Sequence, residues 1–351
     1  MNVKEGSRKR IFSGIQPTGE PHLGNYIGAI RRWVEMQHEY DSFFCLVDLH
    51  AITLPWDPQR LSSQTLNTAA MLIACGIDPE RAVLFRQSQV AQHTELAWIL
   101  TCLARMGELR RMVQFKEKSK GDTESVGTGV FTYPVLQAAD VLLYRAHGVP
   151  VGEDQRQHIE LMRDLGARFN KSLGRTFVIP EPLISTKGAR IMALDAPREK
   201  MSKSSLRLNS VISLTDAPEL VAKKIRSAVT DSGREVAGGE DKPALTNLLT
   251  IFSLVEGTPV AELEERFGEG GYAPFKAALA EAVVEHLRPI RERYEDLSDD
   301  PAELDRLLGG GAKRASDVAE VTMVDVRARA GLGRRPSSGS KAGPSKRPAI
   351  G

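Results

Sequence analysis

Cysteine is scarce in this sequence. Its three cysteines, Cys45, Cys75 and Cys102, lie far apart and form neither a C-x-x-C pair nor a disulfide ladder. A reducing compartment and inert core thiols are therefore expected. No run of about eighteen apolar residues occurs, so no membrane span is expected. The first ten residues are polar and lack an apolar h-region, which argues against secretion and leaves little room for a transit peptide. The cytoplasm is the expected compartment. An excess charge of one sign is also missing, with 47 Lys and Arg against 45 Asp and Glu for a net charge of +2. The whole molecule is thus no basic glue, and any nucleic-acid site must be a local patch. Internal repeats are absent. So are the two common phosphate loops: there is no G-x-x-x-x-G-K-[ST], and no glycines fall as G-x-G-x-x-G.

At 351 residues, with 41% apolar and 26% charged residues, the chain has material for a packed core and two domains. Its organising stretch is 11–30. A short apolar, strand-like run (Ile11, Phe12, Ile15) leads into a Pro/Gly-rich turn. Then comes a helix with apolar Leu23, Ile27, Ile30 and Val34. Strand, glycine-bearing loop and helix N-terminus form an anion site, because the first amide N–H groups of a helix lack intrahelical partners. At the helix entrance stands His22-Leu-Gly-Asn25. His22 and Asn25 can donate to phosphate oxygens, and Gly24 lets a flat base approach the backbone. A capped helix start with a surface histidine explains the same four residues.

Further along, 43–47 reads as a buried strand, 61–75 as a helix ended by Gly76, 82–85 as a strand and 93–105 as a helix. The β-α-β-α alternation predicts an α/β fold, a Rossmann-like doubly wound parallel sheet with ligands beyond the strands' carboxyl ends. The stretch 106–129 is polar, and its Lys116–Lys120 charge cluster reads as a solvated loop. Asp140 stands inside an apolar helical run between Ala139 and Val141. An acid so placed either faces solvent on a partly exposed helix or holds a donor in a pocket. Beyond residue 208 the alternation stops and only helices are predicted, the first starting at Asp216 with Glu219 at capping-box spacing. The expected division is a short polar extension over 1–10, a catalytic α/β domain over 11–207 with a helical insertion near 90–130, an all-helical domain over 208–333, and a disordered basic tail over 334–351.

Six stretches together resemble the class I aminoacyl-tRNA synthetases, and within them the bacterial-type tryptophanyl-tRNA synthetases. His22-Leu-Gly-Asn25 is similar to the first signature of that family, and Lys200-Met-Ser-Lys-Ser204 is identical to the second. Between them Phe12-Ser-Gly-Ile-Gln-Pro-Thr-Gly19, Val47-Asp-Leu-His-Ala-Ile-Thr53, Tyr133-Pro-Val-Leu-Gln-Ala-Ala-Asp140 and Val151-Gly-Glu-Asp-Gln155 follow in the family's order. The resemblance covers about residues 11–333. It implies a tryptophan–tRNA ligase: ATP activates L-tryptophan to the adenylate with loss of pyrophosphate, and tryptophan then passes to tRNA(Trp). Such a step needs alignment and charge stabilisation on the phosphates more than covalent help.

By resemblance, His22, Asn25 and Gln16 meet the ATP phosphates from the helix-entrance side. Lys200 and Lys203 approach from the other side, with Lys118 as a third cation. Pro17, Thr18, Gly24, Gly152, Glu153, Ser202 and Ser204 complete the expected ATP site. Met201 and Ile191 lie against adenine, and Asp154 holds the ribose. Mg²⁺ arrives with ATP, without a dedicated carboxylate cage or other metal site. Asp140 accepts the indole N–H, Tyr133 and Gln155 hold the α-amino group, and His50 lies near the amino-acid end. The resemblance also implies a homodimer. The helical domain would meet the anticodon stem, with Lys223, Lys224 and Arg226 clustered on one helix and the basic tail adding salt-sensitive affinity.

Three positions depart from the common pattern. Gln137 stands where many relatives have methionine, and its amide is expected to assist Asp140. Leu49 replaces a frequent glutamine, and Ser205 a frequent aspartate. Three rival readings are a tyrosyl-tRNA synthetase, a small nucleotidylyltransferase and a non-catalytic sensor. The rivals are disfavoured by the Asp140 context, the helical C-terminal region and the presence of His22, Gln16, Lys200 and Lys203, respectively.

Overall fold

The computed structural model describes residues 8–113, 127–184, 190–201 and 209–333. Lys118, Ser202, Lys203, Ser204 and the basic tail lie outside them. Among the described residues, five strands form one parallel sheet: β1 (Arg10–Ile15), β2 (Asp41–Leu46), β3 (Val83–Arg86), β4 (Gly148–Val151) and β5 (Glu181–Ile184), in the order β3-β2-β1-β4-β5. The chain moves outward from β1 to β3, then crosses back to β4 on the other side of β1. The β1/β4 boundary is therefore where strand order reverses, and their carboxyl ends lead into 16–19 and 152–155. Ser13 on β1 donates its hydroxyl to the Pro150 carbonyl on β4.

Strand side chains alternate between faces, as the pleat requires. Phe44, Leu46 and Leu84 enter one core, whereas Phe43, Cys45, Val83 and Phe85 enter the other. The first core includes α1 (Leu23–Asn25), its π-helical continuation Tyr26–Ile30, α2 (Arg31–Met36) and α4 (Pro58–Ala74). The second includes α5 (Gln92–Thr101), α6 (Met106–Arg110), α7 (Thr128–Leu142) and α8 (Arg156–Leu173). A single helical turn, α3 (Asp48–Ala51), follows β2. No single described helix is long and apolar enough to cross a membrane.

After residue 208 the described chain is helical: α9 (Pro218–Ser227), α10 (Pro243–Glu256), α11 (Val260–Phe267), α12 (Tyr272–Ser298) and α13 (Pro301–Ala330). The hydrophobic core does not divide at that boundary. Residues of α9 to α12 share the first core with the sheet, and Ala312, Ala315, Ala319, Met323 and Val326 of α13 enter the second. Helix α13 covers the outer strand β3, which would otherwise present an open edge. Gly311 makes that approach possible, since a Cβ there would stand 1.8 Å from the Leu84 carbonyl oxygen. Polar links reinforce the docking: Arg314 donates to the Ala82 carbonyl at 2.8 Å, and Arg327 reaches Glu95 at 2.6 Å.

Three local expectations are corrected. Asp216 does not cap the first C-terminal helix, which starts at Pro218 behind Ala217. Its carboxylate instead accepts from the Ser213 amide and from Lys224. Lys224 is buried in that pair, so only Lys223 and Arg226 of the expected basic cluster face outward. Cys45 and Cys75 are core thiols, but Cys102 is exposed.

The close approach of α13 has a direct test. Gly311→Ala should destabilise the protein by about 1–3 kcal/mol in urea denaturation, because the backbone cannot yield as a side chain does. Gly309→Ala and Gly310→Ala meet no atom within 4 Å. In the same helix they should be neutral or stabilising by up to about 1 kcal/mol.

Candidate active site

Two groups of residues gather at the carboxyl ends of the strands. The first surrounds Asp140. Helix α7 carries Tyr133, Gln137 and Asp140 at spacings of four and three, which places them on one face. Asp140 is 1% exposed. His50, on the turn after β2, donates from Nε2 to its Oδ2 at 2.7 Å. Gln87, on the turn after β3, donates from Nε2 to Oδ1 at 2.7 Å. His93, on α5, places Nδ1 2.6 Å from the same Oδ1. Burial by itself would raise the Asp140 pKa. The His50 imidazole, through charge and hydrogen bond, and then His93 outweigh burial and hold the carboxyl well below the usual carboxylate range.

Each donor is itself held. Gln87 accepts from the Leu49 amide through Oε1 at 3.2 Å, which fixes the orientation of its carboxamide. The His93 Nε2 lies 2.8 Å from the Tyr144 hydroxyl. Asp48 staples the two turns together, accepting from the Leu49 amide at 3.0 Å and from the Ser88 amide at 2.9 Å. The ring of His50 stands edge-on to Tyr133, with centroids 6.2 Å apart, and the Tyr133 hydroxyl meets His158 Nε2 at 2.8 Å.

The second group lies at the helix entrance. His22 caps α1: its Nδ1 accepts from the Asn25 amide at 3.3 Å, and Asn25 Oδ1 accepts from the His22 amide at 3.3 Å. This reciprocal cap requires the His22 proton on Nε2 and leaves Asn25 Nδ2 as the donor end of its side chain. The entrance is strapped to 212–214. Leu23 donates to the Ile212 carbonyl at 2.9 Å, and Leu214 to that of Pro21 at 3.1 Å. A short antiparallel pairing sets the second signature: Ala193 donates to Glu199 at 2.8 Å, and Met201 to Ile191 at 3.1 Å. It turns Lys200 outward and Met201 inward. Asn247 of α10 bonds both the amide and the carbonyl of Met192, tying this pairing to the helical layer. The space beyond Gly24 is filled by the His22 ring at 3.1 Å and Met201 Cβ at 3.4 Å, rather than left open for a base. Met201 and Ile191 are both buried.

Two loops flank the strand-order reversal. Gln16 and Thr18 are exposed and Pro17 is buried in the loop after β1. After β4, Gly152 makes room for Asp154, whose Oδ1 would stand 2.5 Å from a Cβ at 152. Asp154 accepts from Gln155 at 2.8 Å, and Glu153 pairs with Arg156 at 2.6 Å. Among the described residues, no group of three His, Cys, Asp or Glu converges as a metal site.

The family described as tRNA synthetases class I (W and Y) matches residues 4–288. The chain belongs to that family. This synthetase is 50% identical over 325 residues to the tryptophan–tRNA ligase of Helicobacter pylori, covering 93% of this chain and 99% of that protein. The crystal structure of tryptophanyl-tRNA synthetase from Mycoplasma pneumoniae superposes with a TM-score of 0.82 at 37% identity, over 93% of this chain and 98% of that one. That from Campylobacter jejuni, complexed with ADP and tryptophan, gives 0.80 at 34% identity, over 92% and 100%.

Of the residues expected around the amino acid, the synthetase brings His50 and Asp140 into direct contact and Tyr133 beside His50. Gln137 shares their helix face, but the amide found on Asp140 is that of Gln87. Gln87 and His93 carry no motif of their own, and Asp48 lies in the Val47–Thr53 stretch without an expected role. The signal for them was a buried acid without a nearby sequence partner, which demands donors from elsewhere. Asp140→Ala should lower the unfolding free energy by about 3–5 kcal/mol at pH 7, by stranding two imidazoles and an amide. Because the folded pKa is depressed, that contribution is present above about pH 4 and is lost only in more acidic solution. Chemical denaturation across pH checks it, and a difference already gone at pH 5 would contradict the assignment.

Proposed function

We propose that this chain activates L-tryptophan with ATP to tryptophanyl-adenylate and pyrophosphate, and then transfers tryptophan to the 3′ end of tRNA(Trp). The observation that carries this reading is the near-complete match, at about half identity, to a tryptophan–tRNA ligase in a chain that buries an ionised acceptor beneath the strand ends. Indole carries a donor and no acceptor, so a buried carboxylate recognises it and rejects a side chain without that N–H. Among the described residues, Asp140 Oδ1 receives two donors and Oδ2 one, which leaves a lone pair of Oδ2 for the indole. Tyr133 and Gln155 are assigned to the α-amino group.

The phosphate side follows from the strapped entrance. His22 Nε2, Asn25 Nδ2 and Gln16 donate to phosphate oxygens, while Lys200, Lys203 and Lys118 supply positive charge as pyrophosphate leaves. Asp154 is assigned to the ribose, beside Gly152 and Glu153. Pro17 and Thr18 shape the loop, Ser202 and Ser204 flank Lys203, Gly24 belongs with His22 and Asn25 at the helix entrance, and Ile191 and Met201 form the apolar floor under adenine. Mg²⁺ enters on the ATP phosphates as part of that substrate. Lys223 and Arg226 are assigned to the tRNA side, and the cytoplasm is the place of action. A homodimer is assigned by the same reading, with exposed Trp98 on α5 and Met106 at the start of α6 as apolar surface available to it.

Amino-acid-dependent ATP–pyrophosphate exchange tests the reading. Exchange with tryptophan, and none above background with tyrosine or phenylalanine, is expected. Exchange with tyrosine would make this the sister synthetase and remove Asp140 from indole recognition. Silence with all three would favour a sensor.

A further inference from the structure

The donor on Asp140 with the least obvious purpose is His93. It is fully buried, 47 positions from Asp140 in sequence, and outside every signature stretch. Its Nδ1 faces the carboxylate and its Nε2 faces the Tyr144 hydroxyl. Burial, reinforced by the neighbouring Cys45 and Asp140, pushes the Tyr144 phenol well above its usual range, so that hydroxyl keeps its proton. The hydrogen bond to Tyr144 at Nε2 orients the imidazole, and its Nδ1 carries the hydrogen donated to the Asp140 carboxylate. The tyrosine ring is fixed by one aromatic residue from each of three strands. Phe12 of β1 stacks on it at 5.5 Å, Phe43 of β2 tilts against it at 4.7 Å, and Phe85 of β3 meets it edge-on at 5.8 Å. Sheet, phenol, imidazole and carboxylate form one connected chain.

We propose that His93, oriented by Tyr144, is a specificity-positioning residue that saturates Oδ1 of Asp140 together with Gln87 and so presents Oδ2 to the indole N–H. The inference rests on the assignment of Asp140 to the indole. His93 acts through Asp140 and touches no substrate. Without it, Oδ1 keeps one donor, the carboxylate gains a competing acceptor site and freedom to rotate, and the bond that distinguishes indole loses its fixed geometry.

The experiment compares tryptophan with β-(3-benzothienyl)alanine, a near-isostere with sulfur in place of the indole N–H, in ATP–pyrophosphate exchange. The readout is the ratio of their kcat/KM values. Tyr144→Phe retains the ring and removes the hydroxyl, and should lower that ratio about three- to tenfold through a higher KM for tryptophan. The KM for ATP should not move. His93→Leu should lower the ratio further, about 10- to 100-fold. His93→Asn, whose side-chain amide takes the place of Nδ1, should recover most of it. Should His93→Leu fail to fold, Tyr144→Phe and His93→Asn decide the question.

A ratio within twofold of wild type in Tyr144→Phe and His93→Leu, alongside a collapse in Asp140→Asn, would overturn the role of His93 and leave Asp140 in place. Equal losses for both amino acids with a raised KM for ATP would also overturn it, as the mark of a merely structural role. An unchanged ratio in Asp140→Asn would remove the indole assignment itself.

Discussion

A carboxylate buried to 1% exposure and kept ionised is the constraint on which the rest of this site depends. Left alone at that depth it would take up a proton and lose its value as an acceptor for a neutral donor. Three donors prevent this, and each comes from a different part of the chain: the turn after β2, the turn after β3, and α5. The parallel sheet supplies that convergence, because it places successive strand ends side by side although they are some 40 residues apart in sequence. Asp48 then ties the first two turns to each other through the amides of Leu49 and Ser88. The position of one carboxylate thus sets the geometry of two strand ends and three helices.

The phosphate side is built on a different principle. Its parts are held by main-chain pairings: the helix entrance on 212–214, the start of the second signature on 191–193, and Asn247 imitating a backbone partner for Met192. Such bonds fix the framework and leave Lys200, proposed to meet the phosphates, directed outward. A selective pocket benefits from immobile side chains, whereas a phosphate clamp must meet a ligand whose charge is redistributed during reaction. The helical layer contributes to both sides, through Asn247 of α10 and through α13 against β3.

The sequence discloses the alternation of strands and helices, the buried runs of β2 and β3, and Asp140 as an anomaly, since each is written in local periodicity or local chemistry. Gln87 and His93 carry no such local mark, because their partner is about 50 residues away and a lone buried glutamine or histidine has many uses. Asp216 and Glu219 have capping-box spacing, yet Lys224, two turns further on, takes the carboxylate. The same ion pair withdrew Lys224 from the expected basic face. Gly24 was expected to open space for a base, and the His22 ring folds back over it because its Nδ1 is needed by the Asn25 amide. Helix α13 reads locally as one more helix of an all-α domain. The Gly311 approach to Leu84 and the Arg314 bond to the Ala82 carbonyl show that it closes the edge of the sheet.

The central claim is that Asp140 is an ionised acceptor for the indole N–H. The most direct measurement is the proton resonance of that N–H in bound tryptophan labelled with ¹⁵N at the indole nitrogen. A strong downfield displacement on binding, abolished in Asp140→Asn while residual binding persists, is the predicted result. A resonance at the same position in both proteins would contradict it.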